Sequence, residues 1–308
     1  MVTGAAGNIG SAFTRALIRK KCYSIVGIDN LSTGSRTKLP DNNGSFKFIK
    51  ADVNNFAEIS SIFYAHNFDY VFHFAAIVGV QRTLANPLSV LNDIEGIKNI
   101  LSLSKNCGLK RAFYSSSSEV YGEPVSLPQH EETTPLNSRL PYAIVKNLGE
   151  AYFKSYFEEH ELPYTIFRFF NTYGPNQSED FVVPKFLNAA LRGEPITIYG
   201  DGSQTRTFCY VDDNTDTMVG CLEQELFVND VLNIGSDTEH SMIELADLIL
   251  RITGSRSHVQ HLPPLKEGDM TRRKPDISKM MRVLCRPLVS IEQGIRKLIQ
   301  SKSGGMRI

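Results

Sequence analysis

The chain has 308 residues, of which 42% are hydrophobic and 21% charged, enough apolar material for a large globular fold without disulfide bonds. Its 33 Lys and Arg residues balance 33 Asp and Glu residues, which excludes binding to nucleic acid or to an anionic membrane driven by net charge. The five cysteines lack metal-site spacing and no apolar run has the length of a membrane span, so we expect a soluble cytoplasmic protein without a metal.

Short β-branched or aromatic runs alternate with longer helical stretches in the first half of the chain, which predicts βαβ units and a parallel sheet. Residues 1–3 alone precede the first glycine and indicate a short first strand or a trimmed N-terminus. Further strands are expected at 23–28, 46–49, 70–74, 111–115 and 164–169. Helices are expected at 9–20, 57–67, 87–107 and 142–160.

Pro and Gly residues punctuate the second half of the chain, which predicts loops and short elements that form a smaller cap on the sheet. Helices are expected there at 183–192, 212–225, 242–253 and 291–299. The predicted sheet domain covers 1–170 with parts of 205–240, and the predicted cap covers 171–204 and 241–308.

A glycine-rich loop joins the first strand to the first helix. Glycine permits a tight turn and a close approach of the backbone to a pyrophosphate, whose charge is favoured by the helix N-terminal amides. The second strand ends at Asp29 and Asn30, where a carboxylate can bind both ribose hydroxyls and repel a 2′-phosphate. We therefore predict a site for NAD in preference to NADP. The candidate loop residues are Gly4, Gly7, Asn8, Ile9 and Gly10.

Small and polar residues follow the next three strands, at the sheet edge where such ligands bind. Asp52 fits either a contact to adenine or a helix cap. The predicted cofactor site is completed by Asp52, Val53, Ala75, Ala76 and Ser115, together with Tyr142 and Lys146.

Candidate catalytic groups follow the fifth strand. Tyr142 and Lys146 are four residues apart and share one face of a helix. The ammonium, together with the positive charge of oxidised nicotinamide, would lower the phenol pKa from about 10 and make Tyr142 a base. An incidental Tyr/Lys pair is the alternative, which the glycine loop disfavours. The predicted catalytic set is Ser117, Ser118, Glu119, Tyr142 and Lys146.

The chain resembles the extended short-chain dehydrogenases/reductases, specifically the nucleotide-sugar epimerase/dehydratase/decarboxylase group, from residue 3 to about residue 299. The resemblance is carried by the glycine loop, the segments 29–34, 168–175 and 199–206, and Ser117 with Tyr142 and Lys146. It implies a Rossmann-type doubly wound parallel sheet that binds NAD. It also implies a smaller C-terminal α/β cap that binds a nucleotide-diphosphate sugar.

The resemblance also implies individual roles. Tyr142 would take the proton of the sugar O4 hydroxyl while the C4 hydride goes to NAD, Lys146 would bind ribose and lower the phenol pKa, and Ser117 would share the proton path. Arginine suits phosphate through its forked hydrogen bonds. A solvated charged surface is the alternative for the Arg272–Arg273 run. The implied substrate-binding residues are Asn171, Val183, Tyr199, Arg206 and Arg272 or Arg273.

Oxidation at C4 opens several outcomes, because the ketone acidifies neighbouring protons and stabilises the carbanion left by loss of carboxylate. The segment that ends in Glu119 is similar to that of the lyases, the 4,6-dehydratases and glucuronate decarboxylases, although Ser118 stands where dTDP-glucose dehydratases have Asp. Arg273, taken together with Ser118 and Glu119, looks like the decarboxylases. The segment 75–82 is nearer to UDP-sugar 4-epimerases. We predict a lyase, with 4-epimerase as the alternative and a non-catalytic NAD sensor as a remote one.

Two further expectations rest on the resemblance. The family usually has Asn where Asp93 stands, and a carboxylate there cannot donate the hydrogen bonds of an amide. We expect this difference to alter the geometry behind the catalytic serine unless the adjacent Asn92 compensates. Family members also commonly dimerise by packing helices that correspond to 87–107 and 142–154 into a four-helix bundle. The apolar stripe Leu88, Leu91, Ile94 and Ile97 is consistent with a homodimer or with helices half-buried in a monomer.

Overall fold

The computed structural model describes residues 1–264 and 272–304. Residues 265–271 and 305–308 belong to the predicted cap, so the prediction for them lies outside the described residues. The strands are β1 Val2–Thr3, β2 Ile25–Asp29, β3 Phe46–Lys50, β4 Tyr70–His73, β5 Arg111–Ser117, β6 Tyr164–Phe169, β7 Thr172–Tyr173, β8 Ile196–Tyr199, β9 Thr205–Thr207, β10 Cys209–Tyr210, β11 Asp230–Ile234, β12 Glu239–Ser241 and β13 Val259–Leu262.

The helices are α1 Asn8–Lys20, α2 Phe56–Ala65, α3 Val80–Ala85, α4 Pro87–Leu91, α5 Asp93–Asn106, α6 Pro141–His160, α7 Val182–Arg192, α8 Val211–Glu223, α9 Met242–Thr253, α10 Ser278–Leu284 and α11 Ile291–Gly304. Two 3₁₀ turns cover Arg36–Lys38 and Ser118–Tyr121. No helix within the described ranges is long and apolar enough to span a bilayer.

Seven parallel strands form the central sheet in the order β11-β6-β5-β4-β1-β2-β3, which confirms the predicted doubly wound α/β fold. Strand β1 is short, yet it is central: Val2 pairs with Gly27 of β2 and with Phe72 of β4. The strand order reverses between β1 and β4. The carboxyl ends of these strands therefore open a crevice of the kind in which α/β proteins bind ligands.

The predicted single helix over 87–107 is wrong, because the structure has two helices, α4 and α5, separated at Asn92. The start of α5 contacts residues that follow strands β3 and β4. Asp93 accepts a hydrogen bond from Ile77, and a Cβ on Gly96 would meet Asn54 at 2.7 Å. The helical periodicity of the sequence carries no information on these contacts, because they are made with residues outside the helix. Helices α3 and α10 and the edge strand β11 were also missing from the predicted elements.

Apolar side chains cover both faces of the sheet and form a separate cluster in the cap. One sheet face packs Ile59, Leu101, Tyr114 and Phe153, and the other packs Phe13, Phe113, Phe167 and Met218. The cap cluster includes Phe186, Leu187, Leu245, Ile249 and Ile295. The division of the chain into a sheet domain and a cap, with the bounds given above, stays a prediction. Helix α10 falls in the range expected for the cap but packs against α8 and β11 beside the sheet, because Met280 and Val283 are buried there.

Candidate active site

One cavity of about 720 Å³ lies between the carboxyl ends of the sheet strands and the cap. The structure brings the predicted site residues together around it, with the exception of Arg272. These are Gly4, Gly7, Asn8, Ile9, Gly10, Asp29, Asn30, Asp52, Val53, Ala75, Ala76, Ser115, Ser117, Ser118, Glu119, Tyr142, Lys146, Asn171, Val183, Tyr199, Arg206 and Arg273. Residues far apart in sequence therefore line one cavity.

The glycine loop passes too close to neighbouring backbone for any larger residue. Gly4 has a φ of +65°, and a Cβ there would lie 2.7 Å from the backbone nitrogen of Ala75. A Cβ on Gly10 would collide with the carbonyl oxygen of Gly4. Gly7 caps α1, so the free amides at the start of this helix face the cavity. This bare, amide-rich surface fits a pyrophosphate.

The end of β2 presents a carboxylate to the same cavity. Asp29 is 9% exposed, and its two oxygens accept backbone hydrogen bonds from Ala6 at 3.0 Å and Leu31 at 2.8 Å. These bonds hold the carboxylate in place and leave lone pairs for ribose hydroxyls. The helix-cap alternative for Asp52 does not hold, because Asn55 is the N-cap of α2. The Asp52 carboxylate instead accepts from the Asn30 amide at 3.0 Å.

The catalytic candidates converge where β5 meets α6. Ser117, the last residue of β5, accepts from the backbone N–H of Glu119 at 3.2 Å. Its hydroxyl is near enough to the Tyr142 phenol to oppose the rise that burial causes in the pKa of Tyr142. Lys146 donates to the carbonyl oxygen of Ser115 at 2.6 Å, and its Nζ lies 5.8 Å from the centre of the Tyr142 ring. The Tyr/Lys pair is therefore part of the cleft and not an incidental surface pair.

Burial governs the protonation of both members of this pair. It raises the pKa of Tyr142 above the usual 10, and the charges of Glu119 and Asp93 raise it further. Burial lowers the pKa of Lys146 to about 8, against the opposing effect of Asp93. The protein groups alone keep Tyr142 protonated at neutral pH. Further positive charge must enter the cleft before the phenol can act as a base.

A second pair of charged groups lies beside this centre. Arg273 and Glu119 form an ion pair with 2.6 Å between Nη2 and Oε1, and their side chains are only 8% and 14% exposed. Arg273 also approaches the Ser118 hydroxyl at 3.5 Å. Glu119 belongs to the 3₁₀ turn after β5, whereas Arg273 precedes α10. A cation and an anion are thus held next to Ser117 and Tyr142.

The two adjacent arginines of the sequence have different environments. Arg272 is 53% exposed outside the cavity, where it forms an ion pair with Glu239 at 2.9 Å. The sequence analysis predicted that either Arg272 or Arg273 binds substrate. Of the two, Arg273 is the one that lines the cleft. On the cap side, Asn171 donates to the carbonyl of Thr207 at 3.0 Å.

A buried polar network supports the turn that carries Ser118 and Glu119. Arg168 on β6 forms an ion pair with Glu150 on α6 at 2.7 Å, and both are almost fully buried. Arg168 also donates to the Tyr121 hydroxyl at 2.8 Å. Tyr121 ends the 3₁₀ turn, so the network ties this turn to the sheet and to α6.

Sequence reasoning missed an ion pair across the outer part of the cleft. Arg82 on α3 contacts Asp180, which precedes α7, at 2.8 Å, and both residues line the cavity. Arg82 ends the epimerase-like segment 75–82, Asp180 belongs to no motif, and the two residues are distant in sequence. No local signal could have indicated this pair.

This fold, with a glycine loop and with Ser117, Tyr142 and Lys146 around one cavity, is that of an enzyme of the short-chain dehydrogenase type. The model of the NAD dependent epimerase/dehydratase family matches residues 1–235, and the chain belongs to this family. The resemblance noted in the sequence is thereby confirmed.

Two kinds of relative illustrate the range of the family. The UDP-N-acetyl-alpha-D-glucosaminuronate decarboxylase of Bacillus cytotoxicus is 33% identical over 97% of this chain and 96% of its own length. The structure of the Thermotoga maritima UDP-glucose 4-epimerase with UDP-glucose matches with a TM-score of 0.92 and 33% identity, covering 99% of each chain. The Bacillus cereus UDP-glucuronic acid 4-epimerase, solved with UDP-glucuronic acid and NAD, matches with a TM-score of 0.89 and 31% identity over 98% of each chain.

Proposed function

We propose that this enzyme is an NAD-dependent lyase that oxidises C4 of a UDP-hexuronate and releases the sugar carboxylate as carbon dioxide. The observation that carries this proposal is the buried ion pair of Arg273 and Glu119 beside Ser117 and Tyr142. A guanidinium in this place offers a forked partner to a carboxylate on the sugar.

NAD is the cofactor that the cleft fits. The glycine loop would hold the pyrophosphate, Asp29 the adenosine ribose, and Lys146 the nicotinamide ribose. When bound, NAD would supply a reversible acceptor for the C4 hydride, which returns to C4 after the carboxylate has left, together with the positive charge that Tyr142 needs. The Asp29 carboxylate would repel a 2′-phosphate, which supports NAD over NADP.

The chain's own groups have distinct tasks in this reaction. Tyr142, as phenolate, takes the O4 proton while Ser117 aligns the sugar hydroxyl. The resulting C4 ketone lies β to the C6 carboxylate. The C5–C6 bond can therefore break with its electron pair delocalised into the ketone, and C5 then takes up a proton. Arg273 holds the carboxylate in place, and the charge of Glu119 favours its departure as neutral carbon dioxide.

Two alternatives differ in the step after C4 oxidation. A 4,6-dehydratase needs an acid to protonate the departing O6, and Ser118 supplies none at the position next to Glu119. A 4-epimerase would retain the carboxylate and return the hydride to the other face of C4. The epimerase-like segment 75–82 and the solved epimerases that match favour this second candidate. Among these, the Bacillus cereus enzyme was solved with UDP-glucuronic acid.

We also propose a cytoplasmic homodimer. Leu88 and Leu91 on α4 and Ile144 and Leu148 on α6 are 77%, 39%, 42% and 45% exposed, and α4 packs on α6. A second copy would bury this apolar face. In the predicted stripe, Ile97 is buried in the chain's own core and Ile94 packs against that core, as the alternative of half-buried helices expects, which leaves Leu88 and Leu91 for the dimer face.

The test compares substitutions of two adjacent arginines. Purified protein is incubated with NAD and UDP-glucuronate, UDP-N-acetylglucosaminuronate, UDP-glucose or dTDP-glucose, and products are identified by mass spectrometry and NMR. Wild type should release carbon dioxide from a hexuronate. Arg273→Ala should reduce kcat/KM by roughly 10²-fold or more, because the buried guanidinium is lost, whereas Arg272→Ala should stay near wild type.

Each other outcome identifies a different reaction or removes the role proposed for Arg273. A hexuronate of unchanged mass with new ring couplings identifies the 4-epimerase. Loss of water from a neutral sugar identifies a dehydratase. Equal effects of the two arginine substitutions would remove the assignment of Arg273 to the substrate carboxylate.

A further inference from the structure

Asp93 is a charged residue of the cleft for which the proposed reaction has no role. It is the first residue of α5 and lines the cavity with Tyr142 and Lys146. Its Oδ2 accepts a hydrogen bond of 2.8 Å from the backbone N–H of Ile77, in the segment after β4. Burial raises the pKa of this carboxyl, and the hydrogen bond from Ile77, the charge of Lys146 and the neighbouring Asn54 side chain oppose that rise. The hydrogen bond from Ile77 thus holds the carboxylate at a defined place behind the catalytic pair.

The orientation of Asn54 is itself determined. Its Oδ1 accepts from the backbone N–H of Gly96 at 2.9 Å, which fixes the side chain against the first turn of α5. A side chain on Gly96 would collide with Asn54 and Val53. The carboxylate therefore has little freedom to move away from the cleft.

Several titratable groups surround this carboxylate. They are Lys146 and Tyr142 on α6, Tyr114 on β5, His73 on β4 beside Lys146, and Asp52 after β3. Burial and the charge of Lys146 lower the pKa of His73 to about 3, so this imidazole is neutral. Tyr114 is buried and its pKa is raised well above 10, so it is neutral as well. Lys146 is consequently the cation that Asp93 faces.

We propose that Asp93 is a positioning residue whose negative charge sets the pH range in which Lys146 is a cation and Tyr142 a base. This inference rests on the proposed function, in which those two groups act as a pair. Its geometric basis is the fixed carboxylate at the start of α5, in the same cavity as both groups.

The negative charge of Asp93 determines the direction in which the pKa values of Lys146 and Tyr142 change when Asp93 is replaced. Burial lowers the pKa of Lys146 to about 8, and Asp93 opposes this by stabilising the ammonium. The same negative charge raises the pKa of Tyr142. Removing it therefore lowers both pKa values, so the phenol ionises earlier and the ammonium is lost earlier. The whole active pH range moves toward acid.

The test is Asp93→Asn, because the amide oxygen keeps the acceptor for Ile77 while the charge is lost. Glu95→Gln is the matched control: Glu95 lies on the same helix, is 51% exposed, and is paired with Lys98 outside the cleft. We expect both limbs of the pH profile of kcat/KM to move down by about one unit in Asp93→Asn. Glu95→Gln should not move them, and Asp93→Glu should restore the wild-type limbs.

A second measurement is independent of sugar turnover. The tyrosinate absorbance of NAD-loaded protein is titrated, and the titration of Tyr142→Phe is subtracted to isolate Tyr142. A lower midpoint in Asp93→Asn supports the proposal even if no sugar is converted, in which case the proposed function alone fails. The proposal would be overturned if Asp93→Asn left the limbs of the kcat/KM profile or the Tyr142 midpoint where they are in wild type and only lowered the rate equally at every pH. Failure of Asp93→Asn to fold would also overturn it, since it would make Asp93 a structural residue.

Discussion

Replacing Arg168 by Met is expected to lower the free energy of unfolding by about 3–5 kcal/mol, the cost of leaving a buried charge without its partner. Arg168 is 2% exposed and Glu150 is 1% exposed. The guanidinium donates to both Glu150 oxygens, at 2.9 and 2.7 Å, and also to Tyr121. After the substitution, the Ser116 hydroxyl, at 2.5 Å, is the donor left to the carboxylate within the described ranges.

Urea denaturation followed by circular dichroism measures this loss. An unpaired, buried Glu150 has a raised pKa in the folded variant, so the variant's stability falls as the pH rises above the unfolded value of about 4.3. The deficit should therefore be smaller at about pH 5 than at about pH 8. Adding Glu150→Leu should recover much of it, because no unpaired charge remains. A loss below about 1 kcal/mol, or a double variant less stable than Arg168→Met, would refute the reasoning.

Two further substitutions test the cofactor cradle and the proposed base. Gly10→Ala should abolish NAD binding measured by calorimetry, since the new Cβ would collide with the Gly4 carbonyl oxygen, whereas Gly44→Ala, which meets nothing within 4 Å, should bind normally. Normal NAD affinity in Gly10→Ala would contradict the close approach. Tyr142→Phe should lower kcat by roughly 10²–10⁴-fold while NAD affinity stays near wild type. Full activity in Tyr142→Phe would remove the proposed base.

The alternation of strands and helices in the first half was predictable, because β-branched runs and helical periodicity are local signals. Strand β6 and helix α9 have the predicted bounds. Strand β11 was missed because its five residues include the polar Asp230 and Asn233, and the strand is completed by its pairing with β6. The interruption at Asn92 was missed for a related reason, since the contacts of Asp93 and Gly96 that accompany it come from other parts of the fold.

The sequence by itself determined the cradle and the chemical groups. The glycine loop, Asp29 at a strand end and the Tyr142/Lys146 spacing are short-range patterns whose geometry follows from the backbone. Only the tertiary structure determined which residues distant in sequence lie beside the glycine loop, Asp29 and the Tyr142/Lys146 pair. It brought Arg273 against Glu119 while Arg272, its neighbour, turned outward to Glu239. Long-range charge pairing depends on how the cap and the sheet pack together, and no local pattern encodes that packing.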